Sequence, residues 1–177
     1  MIYIFLANGF EDIEALATAD ILKRAGLDIK TVGIGNKQIE TSHGLKVICD
    51  YNENEIDIKK ADMIILPGGM PGTKNLAESK IVKDALEFCI DNDKYIAAIC
   101  AAPSVLGKYG LLYGKKFTCY PSFEEGINGK YTKDKVTVDG KIITGIGPGA
   151  TFDFAFEIVK ILCGSEKVKA LKKSMQC

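Results

Sequence analysis

Apolar runs of strand length that end in a small-residue turn and pass straight into a helical pattern recur along this chain. That alternation limits the fold more than any other feature. "IYIFLA" (2–7) leads into a helix whose apolar residues are Ile13, Leu16, Ala17, Ala19 (less regularly), Ile21 and Leu22, and Ala25-Gly26 stops it. "ADMIILPGG" (61–69) ends in glycines ahead of "SKIVKDALEFCIDN" (79–92), an amphipathic helix with Ser79 as its cap. "KYIAAIC" (94–100) runs into "APSVLGKYG", where Pro103 suits a first helical turn. "KVTVDGKIITGIG" (135–147) reads as two strands around an Asp139-Gly140 hairpin. The helix "ATFDFAFEIVKILCG", stopped at Gly164, and the basic helix "EKVKALKKSMQ" follow it. "DIKTVGI" (28–34) reads as a second strand and "LKVICD" (45–50) as a shorter third. Strands alternating with helices predict an α/β sandwich around a mostly parallel central sheet.

The 177 residues carry no internal repeat, low-complexity tract or linker, so residues 1–177 are expected to form a single domain with a sizeable core. With 23 basic and 23 acidic residues the formal net charge is zero, which argues against nucleic acid or an anionic membrane as partner. No stretch reaches the roughly 18 uninterrupted apolar residues of a membrane span. "MIYIFLANGFED" lacks a basic leader region and meets Glu11 and Asp12 at once, so it reads as a first strand and not a signal peptide. The six cysteines, at 49, 89, 100, 119, 163 and 177, include no C-x-x-C pair, and the only histidine is His43. That spacing predicts neither a structural metal nor a disulfide framework, and free thiols fit a reducing cytoplasm. Cys49, Cys89 and Cys163, inside strand or helix patterns, are expected to be buried packing thiols.

Ligands of parallel α/β sheets sit beyond the carboxyl ends of the strands. That rule selects "ANGFEDIE" after the first strand, "PGGMPG" after the fourth and "CAAP" after the fifth. A nucleophile elbow, a sharp strand-to-helix turn, tolerates only small residues two positions either side of the nucleophile. Ala98 and Ala102 meet that condition around Cys100. A helix beginning at Cys100 would also aim unpaired N–H groups at the sulfur and favour thiolate, although a buried packing thiol is the alternative. Glu11 and Asp12 suffice as first-turn acids, whereas Glu14 lies a turn inside the helix. A partly buried Glu14 beside a thiolate would stay protonated and donate a hydrogen bond to sulfur. The glycines of "LPGGMPG" either line an oxyanion pocket with their N–H groups or simply make a tight turn.

"GFEDIE", "IILPGGMPGTKNL", "AAICAAPSVL" and "GPGATFDFA" resemble, in order and spacing, the ThiJ/PfpI superfamily. The resemblance is to the branch of the parkinsonism-associated deglycase and its bacterial homologues. It covers nearly the whole chain and implies a flavodoxin-like three-layer sandwich, class I glutamine amidotransferase-like, in a homodimer that needs no cofactor. It carries the nucleophilic, oxidation-sensitive cysteine to Cys100, the protonated glutamate to Glu14, and the oxyanion donors to Gly69 and Ala101. The sequence departs from the family's pattern at two places. Ala101 stands where the protease-like branch has a histidine, and Tyr120 in "TCYPSF" where the deglycase branch often has one. Tyr120 offers a hydroxyl to the pocket but no imidazole base near neutral pH. His43 falls where homologues often carry an arginine directed at the partner subunit's site; a surface histidine in a turn is the alternative.

These residues favour a cysteine-dependent glyoxalase or deglycase acting on α-oxoaldehydes such as methylglyoxal, or on their thiol and amine adducts. A redox-sensing, stress-protective chaperone in which Cys100 becomes a sulfinate is the second reading. A cysteine peptidase or amidase is third, because Ala101 and Tyr120 replace the histidines it would use. Nothing resembles a P-loop, so a kinase role has no residues to carry it.

Overall fold

A computed structural model describes residues 1–177. In its first half β1 (Ile2–Leu6), α1 (Asp12–Arg24) and β2 (Ile29–Gly33) are followed by β3 (Gln38–Glu40), β4 (Lys46–Ile48) and β5 (Tyr51–Asn52). Then come β6 (Met63–Leu66), α2 (Gly72–Glu78), α3 (Lys80–Asp91), β7 (Tyr95–Ile99) and α4 (Pro103–Lys108). The remainder holds β8 (Lys116–Phe117), β9 (Lys130–Tyr131), β10 (Val136–Asp139), β11 (Ile142–Gly145), α5 (Thr151–Cys163) and α6 (Ser165–Met175). No helix is long and apolar enough to cross a membrane.

One seven-stranded sheet, ordered β10-β11-β7-β6-β1-β2-β5, carries the fold. Its pairs are parallel except β10 with β11, the hairpin turned at Gly140. Both faces are covered, which is why the strands read as unbroken apolar runs. Along β1, Ile2, Ile4 and Leu6 face the layer of α1, α5 and α6, while Tyr3 and Phe5 face that of α2, α3 and α4. The architecture is an α/β flavodoxin-like sandwich. From β1 the chain moves outward to β2, and from β6 it moves the other way to β7, so the strand order reverses between β1 and β6. A crevice opens at the carboxyl ends of strands at such a reversal.

Several local expectations need correction. "LKVICD" does not join the central sheet: Lys46–Ile48 pairs antiparallel with Gln38–Glu40 as a separate hairpin, and Tyr51–Asn52 takes the sheet edge. A short alternating segment satisfies its backbone in either place, and the turn at 41–45 decides for the hairpin. Ser79 precedes α3 but makes no side-chain cap bond. On α1 the buried face is Glu14, Ala15, Thr18, Ala19, Ile21 and Leu22, whereas Ile13 and Leu16 are exposed. The apolar residues of α1 are split between its inner and outer sides, and a carboxylic acid takes a place inside. Cys163 lies on the exposed last turn of α5, while Cys119 is buried with Cys49 and Cys89.

Candidate active site

The loops after β1, β6 and β7 meet at the carboxyl edge because those three strands are neighbours in the sheet. Cys100, the residue after β7, has φ = 64°, a left-handed conformation that is rare and strained for a side chain with a Cβ. Its backbone is held on both sides: its N–H donates to the Gly145 carbonyl at 2.9 Å, and its carbonyl accepts from Tyr120 N–H at 2.8 Å. The sharp turn read from the small neighbours is therefore present. The helix is not where it was expected. Turn residues Ala101 and Ala102 intervene, and α4 begins only at Pro103. The N–H groups of Ala101 and Gly69, and not those of a helix start, are directed at the Cys100 sulfur and act to lower its pKa.

Glu14 comes from the buried face of α1, where its side chain leans toward the helix N-terminus and the loop after β6. It is 1% exposed. Its Oε2 accepts a hydrogen bond from Gly68 N–H at 2.7 Å. Its Oε1 is buried with no hydrogen-bond partner, and the Cys100 side chain is the group that interacts with the carboxyl. Burial raises the Glu14 acid to about 7, against the pull of the sulfur contact and the Gly68 N–H, with the Glu11 charge adding to the rise. Burial also pushes the Cys100 thiol up, and an ionised Glu14 pushes it further, while the Ala101 and Gly69 N–H groups oppose both. The two acids share one small volume, so ionising one disfavours ionising the other.

Gly68 is the contact that the sequence reading missed. A Cβ there would lie 2.7 Å from the Cys100 Cβ and 2.9 Å from Glu14 Oε2, so only glycine lets the carboxyl, thiol and loop approach one another. The doubled glycine of "PGGM" was the available signal. Gly69 answers to a different need, a positive φ of 88°. Gly68→Ala is expected to lower the unfolding free energy by about 1–3 kcal/mol, the usual cost of overpacking, as read by urea denaturation.

The DJ-1/PfpI family pattern matches residues 1–161 of this chain. The protein dj-1beta of Drosophila melanogaster is 38% identical over 176 residues, covering 97% of this chain and 94% of its own.

The chain belongs to the DJ-1/PfpI family.

The crystal structure of Drosophila DJ-1beta superposes with a TM-score of 0.94 at 36% identity, covering 99% of this chain and 96% of that one. The structure of Toxoplasma gondii DJ-1, described as oxidized, gives 0.93 at 30% identity over 99% of this chain and 97% of its own. A Caenorhabditis elegans family member named glutathione-independent glyoxalase DJR-1.2 is 33% identical over 168 residues, 93% of this chain and 89% of its own.

Within this DJ-1/PfpI framework the residues singled out from sequence separate into two groups. Cys100, Glu14, Gly69 and Ala101 come together at one point. Tyr120 borders it: the backbone is tied to Cys100, and the half-exposed ring packs edge-on against Phe123 at 6.3 Å. Its hydroxyl bonds no protein group. His43 stands apart, its Nδ1 2.5 Å from Asp12 Oδ2 and 3.9 Å from Glu11 Oε1. The Asp12 bond, followed by the Glu11 charge, raises its pKa. Burial alone would raise Asp12, but bonds from Thr41 and His43 hold that carboxyl below its ordinary range. Within one chain His43 is thus a carboxylate-bound surface histidine.

Proposed function

We propose that this DJ-1/PfpI protein is a cofactor-independent glyoxalase or deglycase whose nucleophile is Cys100 and whose acid–base is Glu14. One observation supports it above the others. Glu14 Oε2 is occupied by the Gly68 N–H, which leaves the buried, unpartnered Oε1 to carry the proton toward sulfur. With Glu14 protonated, the charge repulsion on the thiolate is gone and the carboxyl becomes a donor to it. The Cys100 thiolate then adds to the aldehyde carbon (C1) of an α-oxoaldehyde. A C–S bond forms, and the carbonyl electron pair moves to oxygen, facing the Gly69 and Ala101 N–H groups. Glu14 protonates that oxygen and, now a carboxylate, removes the C1 proton and returns it at C2, while the C1 hydroxyl proton passes to the C2 oxygen. The resulting thioester is hydrolysed by water, freeing the thiol and a 2-hydroxy acid. Methylglyoxal plus water thus gives lactate with no net oxidation. The name of the Caenorhabditis relative agrees with this reading.

The Toxoplasma structure described as oxidized favours a second reading, a redox sensor in which Cys100 is converted to sulfinate and accepts a hydrogen bond from Glu14. Lactate formation from methylglyoxal without glutathione, run beside intact mass after graded peroxide, separates the two. Turnover supports the enzyme; clean oxidation at Cys100 with no turnover replaces it by the sensor. The peptidase reading loses ground, since the sole histidine is bound to Asp12.

We also propose a homodimer. Ile13 and Leu16 on α1 and Leu45 and Ile48 on the hairpin are large, exposed apolar side chains, and the His43–Asp12 contact ties these two elements together. Light scattering is expected to give twice the 19.2 kDa chain mass at micromolar concentration, and Ile48→Asp is expected to return it to one chain mass. A monomer in the unsubstituted protein would remove any role for His43 across an interface.

A further inference from the structure

A groove of about 370 Å³ lies between the segment leaving β11 and the segment at Tyr120, and Cys100, though not part of its lining, is bonded to both segments. Both walls are anchored to the Cys100 backbone, one through the Gly145 carbonyl and the other through the Tyr120 N–H. Tyr120, Pro121, Ile146, Pro148 and Ala150 give it an apolar lining. Its one charged residue, Lys135, is turned to the rim, where Nζ pairs with Asp153 at 3.1 Å. The Tyr120 ring closes down because the opposite residue is a glycine: a Cβ on Gly147 would lie only 3.2 Å from the ring. The volume is at the small end of ligand pockets, enough for a ring or short alkyl group and too small for a folded protein surface. A ring sliding in against Tyr120 gains apolar burial and an aromatic contact.

We infer that this groove receives the carbon substituent of the carbonyl compound held at Cys100, and that the protein therefore prefers uncharged aromatic or bulky aliphatic α-oxoaldehydes to methylglyoxal. The inference rests on the proposed function for the word substrate, but the groove itself can be tested without turnover. A side chain introduced at Gly149 begins in open space, with nothing within 4 Å of its Cβ, so Gly149→Leu blocks the groove. Tyr120→Ala removes a wall at a half-exposed position and guards against misfolding of the first variant.

Two ratios are measured on each protein. The first is kcat/KM for phenylglyoxal over methylglyoxal. The second is the rate of Cys100 alkylation by 2-bromoacetophenone over bromoacetone, in which the sulfur displaces bromide and which is read by peptide mass. The unsubstituted protein is expected to favour the phenyl member at least about tenfold after correction for reactivity with free cysteine, the increment of one well-buried apolar group. Both variants are expected to lose most of that preference. If the alkylation ratio falls while neither oxoaldehyde is turned over, the groove stands and the enzyme reading fails. Ratios that are the same in all three proteins would overturn the inference, whatever the turnover.

Discussion

Cys100→Ser is expected to abolish methylglyoxal turnover, with a loss of at least about 10³-fold in kcat/KM. An alcohol is far less acidic than a thiol, and no histidine stands beside position 100 to take its proton. The oxygen is also smaller than sulfur, so the variant keeps the strained turn and the Gly145 and Tyr120 backbone bonds without a steric penalty. A lactate-release assay on protein with an unchanged melting temperature checks it. Residual turnover within tenfold of the parent would mean that the carbon–sulfur bond is not part of the reaction.

Glu14→Gln is expected to cost on the order of 10²-fold or more in turnover, the usual scale of a positioned acid–base. The amide keeps the size, accepts the Gly68 N–H and donates to sulfur, but it cannot carry a proton between C1 and C2. Sulfinate formation should survive, because an amide N–H still serves the oxidised sulfur. Retained methylglyoxal turnover would sink the proton-transfer step.

The same variant has a second readout. The Glu14 acid is raised by burial to about 7 in the folded chain. Its stabilising proton is therefore fully held below the unfolded value near 4.5, and the stability is lost as pH rises toward and through 7. The loss amounts to about 3 kcal/mol above pH 7, at about 1.4 kcal/mol for each tenfold change in acidity between the folded and unfolded chain. Denaturation of the parent against Glu14→Gln should show the difference between them growing over that window in the variant's favour. A difference that does not change from pH 4.5 to 8 would show that Glu14 is not held protonated by burial.

What could be read from residues alone follows the range of the interactions. The sheet was legible because strands buried on both faces must be apolar throughout and must alternate with covering helices, as "IYIFLA" and "ADMIIL" do. The sharp turn at Cys100 was legible because it admits only small neighbours, and that is a local requirement. The inward turn of Glu14 was legible because it was the acid left over once Glu11 and Asp12 had been given to the first turn. Gly68 was not, because its need is a close approach between α1, the loop after β6 and Cys100, which no local pattern records. The exposure of Ile13 and Leu16 was not legible for a similar reason. Periodicity reports that apolar residues share a helix, but it cannot show that Glu14 and Thr18 occupy the inner face while an apolar pair faces out. The separation of Cys100 from the start of α4 by Ala101 and Ala102 is likewise a matter of tertiary hydrogen bonds, those of Gly145 and Tyr120.

Burial sets the background against which Cys100 must be judged. It pushes the Cys49 thiol up to about 11 and those of Cys89 and Cys119 up to about 12, so these three should stay unreactive. Cys163 and Cys177 are exposed. Burial pushes the Cys100 thiol up as well, yet it alone has a carboxylic acid able to donate a hydrogen bond and two backbone N–H groups directed at its sulfur, which oppose that push once Glu14 is protonated. The most direct test of a reactive Cys100 is the rate of iodoacetamide labelling of each cysteine at pH 6, read peptide by peptide by mass spectrometry. Cys100 is expected to be labelled first, ahead of the more exposed Cys163 and Cys177. Labelling of Cys163 or Cys177 first, with Cys100 reacting only at pH well above 8, would contradict it.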